Sequence, residues 1–136
     1  MSDRTIKFFM PMIPPTKTAQ EKKIAVGKDG KARIYTPPEL KEIQQKLIGH
    51  LAGHKPEEAF SGPVELVVTW CFKASNPSHD GQWKITKPDT DNLQKALKDC
   101  MTKIGFWKDD ALVCREIVEK FWAMVPGIYV RVSELE

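Results

Sequence analysis

Apolar residues recur along this chain with two different periods, and the changes of period mark its elements. Thr5 to Pro11 (Thr-Ile-Lys-Phe-Phe-Met-Pro) is a short β-prone run, closed by the prolines at 11, 14 and 15. A polar, lysine-rich stretch follows, with a turn marked by Gly27 and Gly30, and Ala32 to Tyr35 reads as a second short strand. Thr36 is placed to cap a helix, since Pro37 and Pro38 suit a first turn and Glu39 completes a capping box. In that helix Leu40, Ile43, Leu47, Ile48 and Leu51 share one face, and Gly49 or Gly53 ends it. Gly62-Pro63 then leads into the β-rich run Val64 to Phe72, and Ser75 to Lys87 is a polar loop.

The second helix is the clearest element. Leu93, Ala96, Leu97, Cys100, Met101 and Ile104 fall at i, i+3, i+4, i+7, i+8 and i+11, and Gly105 stands where a left-handed residue closes a helix. Asp91 is a natural N-cap with Gln94 three residues on. Leu112 to Ala123 reads as a long strand, and Pro126-Gly127 turns the chain into a hairpin with Ile128 to Val132. The order ββαβαββ predicts one compact α+β domain over residues 1–136: a mostly antiparallel sheet with two main helices, and a basic loop or arm at about 15–31.

Composition narrows the class. With 136 residues, 41% hydrophobic and 29% charged, the chain can bury a core without staples. The absence of a long apolar run, and of an export pattern at Met1-Ser2-Asp3-Arg4, leads us to expect a cytoplasmic protein with no membrane partner. Cys71, Cys100 and Cys114 are far apart and form no CxxC pair, which argues against a disulfide framework or a zinc knuckle. Between Pro15 and Tyr35, Lys17, Lys22, Lys23, Lys28, Lys31 and Arg33 face only Glu21 and Asp29, a local net charge of +4 in a chain of net charge +3. Such a segment is either a solvated loop or an arm that contacts phosphates.

Candidate chemistry gathers around the second helix. Lys87-Pro-Asp-Thr-Asp-Asn92 sets Asp89 and Asp91 two residues apart at its start, and Asp109-Asp110 lies beyond its far end. Magnesium prefers hard oxygen ligands, and clustered aspartates can hold an ion that activates water and stabilises phosphate charge. Lys95, four residues after Asp91, is on the same helical face and can meet a scissile phosphate. Taken alone, an aspartate at a helix start is more often a cap, and an Asp-x-Asp pair is a weak signal. Asp110 cannot reach Asp91 along the helix; the following strand must run back, or a second subunit must supply the carboxylate. His50 and His54 have a metal-ligand spacing but lack the glutamate of a His-Glu-x-x-His motif, and read as solvated. Phe8, Trp70, Phe72 and Trp122 read as core. Trp83 and Trp107, in loops beside the motif, either pack beneath it or stack on an unpaired base. No glycine-rich nucleotide loop is present, against other phosphoryl transferases.

Lys87-Pro-Asp-x-Asp-Asn-Leu-x-Lys-Ala-Leu-x-Asp99, followed by Gly105-x-Trp107-x-Asp-Asp110-x-x-Val113, resembles the signature of the RusA family of Holliday junction resolvases, and Tyr35-Thr36-Pro37 fits it as well. The resemblance implies a divalent-metal-dependent endodeoxyribonuclease, using Mg²⁺ with Mn²⁺ as a substitute, that nicks opposing strands of four-way junction DNA as a homodimer. It matches Asp89, Asp91 and Asp110 to the family's catalytic, metal-holding aspartates and Lys95 to its functional lysine. Pro88 stands where some members carry a basic residue, which passes that phosphate contact to Lys87 or Lys84. The remaining DNA contacts are assigned to the basic arm: Lys17, Lys22, Lys23, Lys28, Lys31 and Arg33. The alternative is a catalytically silent binder of branched or duplex DNA, though three aspartates beside a phosphate track would repel DNA unless a metal neutralised them. Two-fold junction symmetry also favours a dimer, with apolar residues of the 112–132 hairpin (Ile117, Val118, Phe121, Trp122, Met124) or of the first strand (Phe8, Phe9) as its contact.

Overall fold

The computed structural model describes residues 4–16, 23–26, 32–35 and 38–136. Its elements follow in the order β1 (Thr5–Met10), β2 (Lys23–Val26), β3 (Ala32–Tyr35), α1 (Pro38–Ala52), β4 (Val64–Lys73), α2 (Thr90–Ile104), β5 (Val113–Ala123) and β6 (Gly127–Glu134). Single 3₁₀ turns at Pro77–His79 and Asp110–Leu112 flank α2 in the chain. The α+β class is as expected, with one strand more than the sequence pattern implies. Lys23–Val26 pairs antiparallel with β3 in a separate two-stranded ribbon, so part of the basic segment is strand rather than loop. Its four residues are too few for periodicity to reveal. The proposed Thr36 cap and Pro37 lie outside the described residues.

The main sheet has the order β1-β6-β4-β5. β1 with β6, and β6 with β4, are antiparallel, while β4 and β5 are parallel, joined through α2. This corrects the expected hairpin: β5 and β6 are not paired, because β4 lies between them. Residues 124–126 pass over the end of β4, where the ammonium of Lys73 donates to the Met124 carbonyl at 2.7 Å. Two strand spacings are about 9.6 Å, well within reach of three linking residues.

Alternation along β4 explains the layering. Val64, Leu66, Val68, Trp70 and Phe72 are buried, and the residues between them are only partly so. The buried set packs with Phe8 and Met10 of β1, with Ile128, Val130 and Val132 of β6, and with Leu47, Leu51, Leu93, Leu97 and Met101 of the helices in one core. Helices therefore cover one face of the sheet and leave the other open. Trp70 and Phe72 are core as read, and Trp122 and Val118 pack against that core from β5. Trp107 is buried too, its indole N–H donating to the Thr102 hydroxyl at 2.7 Å, so it supports the helix end and cannot stack on a base. Among the described residues no helix is long and apolar enough to cross a membrane.

Candidate active site

Helix α2 begins two residues earlier than its sequence suggests. Asp89, not Asp91, is the N-cap residue: its carbonyl accepts the first helical bond from the Leu93 N–H at 3.1 Å, and its carboxylate makes no capping bond. Asp91 lies in the first turn. Neither carboxylate is tied up in capping, which removes the simplest structural explanation for the pair. Gly105 closes the helix in a left-handed conformation at φ 97°, as expected.

Asp91, Gln94, Lys95 and Lys98 stand at i, i+3, i+4 and i+7, a single stripe beside the apolar one. With Thr90 they line a cleft of about 480 Å³ whose other wall is Asp110, Glu116 and Val118. Glu116 and Val118 are two apart on β5 and so share one face of the strand. Asp110 opens the 3₁₀ turn before β5, while Asp109 caps that turn by accepting the Ala111 N–H at 2.8 Å. This division of labour explains why the second aspartate of the pair, and not the first, faces the cleft.

The connection between α2 and β5 thus sets Asp110 alongside α2, and one chain brings Asp91, Lys95 and Asp110 to the same cleft. Asp89 is at the helix cap beside it and is not among the lining residues. Asp110 also borders a second hollow with Asp99, Thr102 and Lys103, two to three turns further down α2. Among the described residues no three His, Cys, Asp or Glu side chains converge closely enough to cage one ion. The donor set is nevertheless the hard, acceptor-only oxygen type that Mg²⁺ takes, and Mg²⁺ needs only one or two protein carboxylates besides waters and substrate oxygens. The lining holds three carboxylates against two ammonium groups, which favours a cation over a bare phosphate.

A hydrogen-bond chain fixes the floor of the cleft. Gln94 is 3% exposed; its carbonyl oxygen accepts the Trp70 indole N–H at 2.7 Å and its amide donates to Glu116 at 2.6 Å. Glu116 also takes the Lys98 ammonium at 3.0 Å. Gln94 is therefore no capping-box partner, as its spacing from Asp91 implied, but a buried strut between helix and sheet. Sequence reading missed Glu116 and Lys98 altogether. The polar stripe at i, i+3, i+4 and i+7 was available as a signal for Lys98; nothing local marked Glu116. Lys95 is within 3.6 Å of Asp99 in an i,i+4 pair, both more than half exposed, an arrangement worth only a few tenths of a kcal/mol.

The basic residues divide. Lys87 is exposed, as a phosphate contact requires. Lys84, expected at the DNA surface, is corrected: it is 7% exposed, and its ammonium donates to the Thr86 and Lys87 carbonyls at 3.3 and 2.6 Å. Lys23 and Arg33 lie on the β2–β3 ribbon; Lys17, Lys22, Lys28 and Lys31 lie outside the described residues. His54 stacks on Phe8, ring centroids 4.3 Å apart, and among the described residues it joins no group able to hold a metal.

This is an α+β architecture with a carboxylate cleft between one helix and an edge strand, and comparison with known proteins places it further. Residues 12–133 match the family of endodeoxyribonuclease RusA. The chain is 33% identical over 98 residues to the crossover junction endodeoxyribonuclease rusA of Lactococcus phage r1t, covering 71% of this chain and 73% of that one. It is also 28% identical over 119 residues to the uncharacterized protein YqaN of Bacillus subtilis (strain 168), covering 79% and 83%. The chain belongs to the RusA endodeoxyribonuclease family. A nuclease of this type points to dependence on a divalent metal.

Proposed function

We propose that this protein resolves four-way DNA junctions, hydrolysing one phosphodiester in each of two opposing strands with a metal-activated water, Mg²⁺ being the metal and Mn²⁺ a substitute. The observation that carries the reading is the convergence of Asp91, Lys95 and Asp110 on one cleft in a chain of this family. When bound, a divalent cation supplies water activation and neutralises charge on the scissile phosphate. Asp89, Asp91 and Asp110 are the residues we assign to hold it. The first amides of α2 lie beside Asp91 and donate to a phosphate oxygen. Lys95 leaves its weak pair with Asp99 and meets the charge that grows on the phosphate as the water adds. The buried Gln94–Glu116–Lys98 chain keeps the two walls of the cleft in register while this happens.

The β2–β3 ribbon, with Lys23 and Arg33, and the adjoining Lys17, Lys22, Lys28 and Lys31 form the arm that tracks the DNA backbone, assisted by Lys87. A homodimer presents the cleft twice to a two-fold symmetric substrate. Its contact falls on the open face and edge of the sheet, where Phe9 and Ile117 are 40% and 45% exposed, rather than on Phe8 and Trp122, which pack inward. Incubation with an end-labelled four-way junction tests the reading. Paired nicks at symmetric positions are expected with Mg²⁺ and none without, from a species of about twice the 15.5 kDa chain mass in sedimentation. Shifted but uncut DNA under both conditions would identify a silent binder instead.

A further inference from the structure

The segment that leads into Asp89 is tied down firmly and yet displays two large apolar side chains. Residues 81–84 run beside the end of β5: the Gly81 N–H donates to the Trp122 carbonyl at 2.8 Å, the Trp122 N–H to the Gln82 carbonyl at 2.9 Å, and the Lys84 N–H to the Lys120 carbonyl at 3.1 Å. Two ammonium groups grip the segment from beneath. Lys84 lies against the rings of Phe72 and Trp122, at 5.0 and 4.6 Å, while it holds the Thr86 and Lys87 carbonyls. Lys120 donates to the carbonyls of Thr86 and Pro88 at 2.7 and 2.8 Å. On this rigid base Trp83 and Ile85 are 61% and 91% exposed. Trp83 rests with one face on Phe121, centroids 4.3 Å apart and planes 25° apart, and its outer face meets solvent.

Charge says what kind of partner this surface fits. Among the described residues, neither Lys84 nor Lys120 has a carboxylate within ion-pair distance, and Lys87 adds an exposed cation. Burial, with the neighbouring Lys120 charge, holds the Lys84 amine below the ordinary lysine range. A pair of apolar side chains over uncompensated positive charge fits a stacked base flanked by phosphates; the same face of a second copy would bring like charges together. Reach agrees: Ile85 is four residues before Asp89, so their Cα atoms are at most about 14 Å apart, about four base-pair steps.

We propose that Trp83 and Ile85 form a stacking prong that reads the branch point: Trp83 extends the Phe121–Trp83 stack onto a base left open where the strands diverge, and Ile85 wedges beside it. This rests on the resolvase reading above and deepens it. In continuous duplex every base face is already covered, so the prong contributes only at a discontinuity, which makes it a determinant of selectivity for branched over duplex DNA. It also sets a fixed number of steps between the branch and the phosphate at Asp89.

The test uses the full-length protein without added metal, a four-way junction carrying 2-aminopurine at the branch, and a matched duplex. Wild type and Trp83→Phe should change the 2-aminopurine fluorescence on binding. Trp83→Ala should abolish that change and lower the ratio of junction to duplex affinity about tenfold, within the range that loss of one base–aromatic stack produces. Ile85→Ser should lower the ratio by a smaller factor, and answers the question independently if Trp83→Ala does not fold. An unchanged ratio and an unchanged fluorescence response in both variants would overturn the prong. So would a shift of Trp83→Ala to a lighter species in sedimentation, which would reassign this surface to contact between two copies. Failure of the wild type to cut a junction with Mg²⁺ would overturn the resolvase reading itself; wild-type cutting with indifferent variants would remove only the prong.

Discussion

Helices α1 and α2 each run fifteen residues and bury leucines in the same core: Leu47 and Leu51 from one, Leu93 and Leu97 from the other. Their outer faces differ. Among the described residues α1 makes no side-chain hydrogen bond to the sheet, whereas α2 sends Gln94 to Trp70 and Glu116, and Lys98 to Glu116. α2 also buries two polar residues, Asn92 and Gln94. A buried polar side chain must be partnered, and Gln94 finds its partners on β4 and β5, which binds the helix to the sheet. The contrast teaches that hydrophobic periodicity locates both helices equally well, and that polar groups placed at the border of the apolar stripe separate the helix that carries chemistry from the one that only packs.

Substitution should break the symmetry between the helices first in activity. Asp91→Asn or Asp110→Asn should lower junction cutting by roughly a thousandfold, about 4 kcal/mol in the barrier, while a mobility-shift assay shows junction binding kept or tightened. Glu42→Gln on α1, exposed as Asp91 is, should leave the rate unchanged. In stability the helices should look alike: Leu47→Ala and Leu97→Ala should each cost about 2–5 kcal/mol in urea unfolding, and a marked inequality would show that the core is not shared evenly.

Gln94→Leu sharpens the distinction, because it keeps the shape and removes the strut. It leaves the Trp70 indole N–H buried without an acceptor, at a cost of about 1–3 kcal/mol, and frees Glu116, so thermal stability and cutting rate should fall together. Lys95→Ala should lower the cutting rate about tenfold, about 1.4 kcal/mol, with little change in stability, since its pair with Asp99 is a surface one. If affinity falls by the same factor as rate, Lys95 is a binding contact only.

The smallest effect concerns the inner face of α2, which should be chemically quiet. Burial pushes the Cys100 thiol from the usual 9.0 to about 11, so at pH 8 a disulfide reagent should label the exposed Cys114 and spare Cys100 until the protein unfolds. A raised thiol value means that the native state holds its proton longer than the unfolded chain does. The stability this confers is intact below about pH 9 and declines as pH climbs from 9 toward 11.

Much of this was legible in the chain. The i, i+3, i+4 spacing from Leu93 to Ile104 and the closing Gly105 located the end of α2 and its start to within two residues, and the Asp-x-Asp pair with Lys95 and Asp110 pointed to the cleft. What escaped was long-range pairing. Pro126-Gly127 is turn chemistry that suits a hairpin, but insertion of β4 between β5 and β6 is decided by how strands share a core, and no local residue records that. For the same reason Glu116 could not be anticipated: it matters only because the parallel return of β5 sets it against Gln94. Lys84 misled in another way, since a lysine in a polar loop gives no sign that its amine turns inward to hold carbonyls.

The central claim is that Asp91 and Asp110, brought to one cleft from the two ends of α2, hold a divalent cation together. Manganese binding, followed by electron paramagnetic resonance in the absence of DNA, tests it most directly, because it reads the ion and not the reaction. The account predicts that the wild-type protein takes up Mn²⁺, that Mg²⁺ competes for it, and that Asp91→Asn and Asp110→Asn each weaken uptake at least tenfold with the fold unchanged by circular dichroism. Wild-type uptake in both variants would contradict it, whatever their cutting rates.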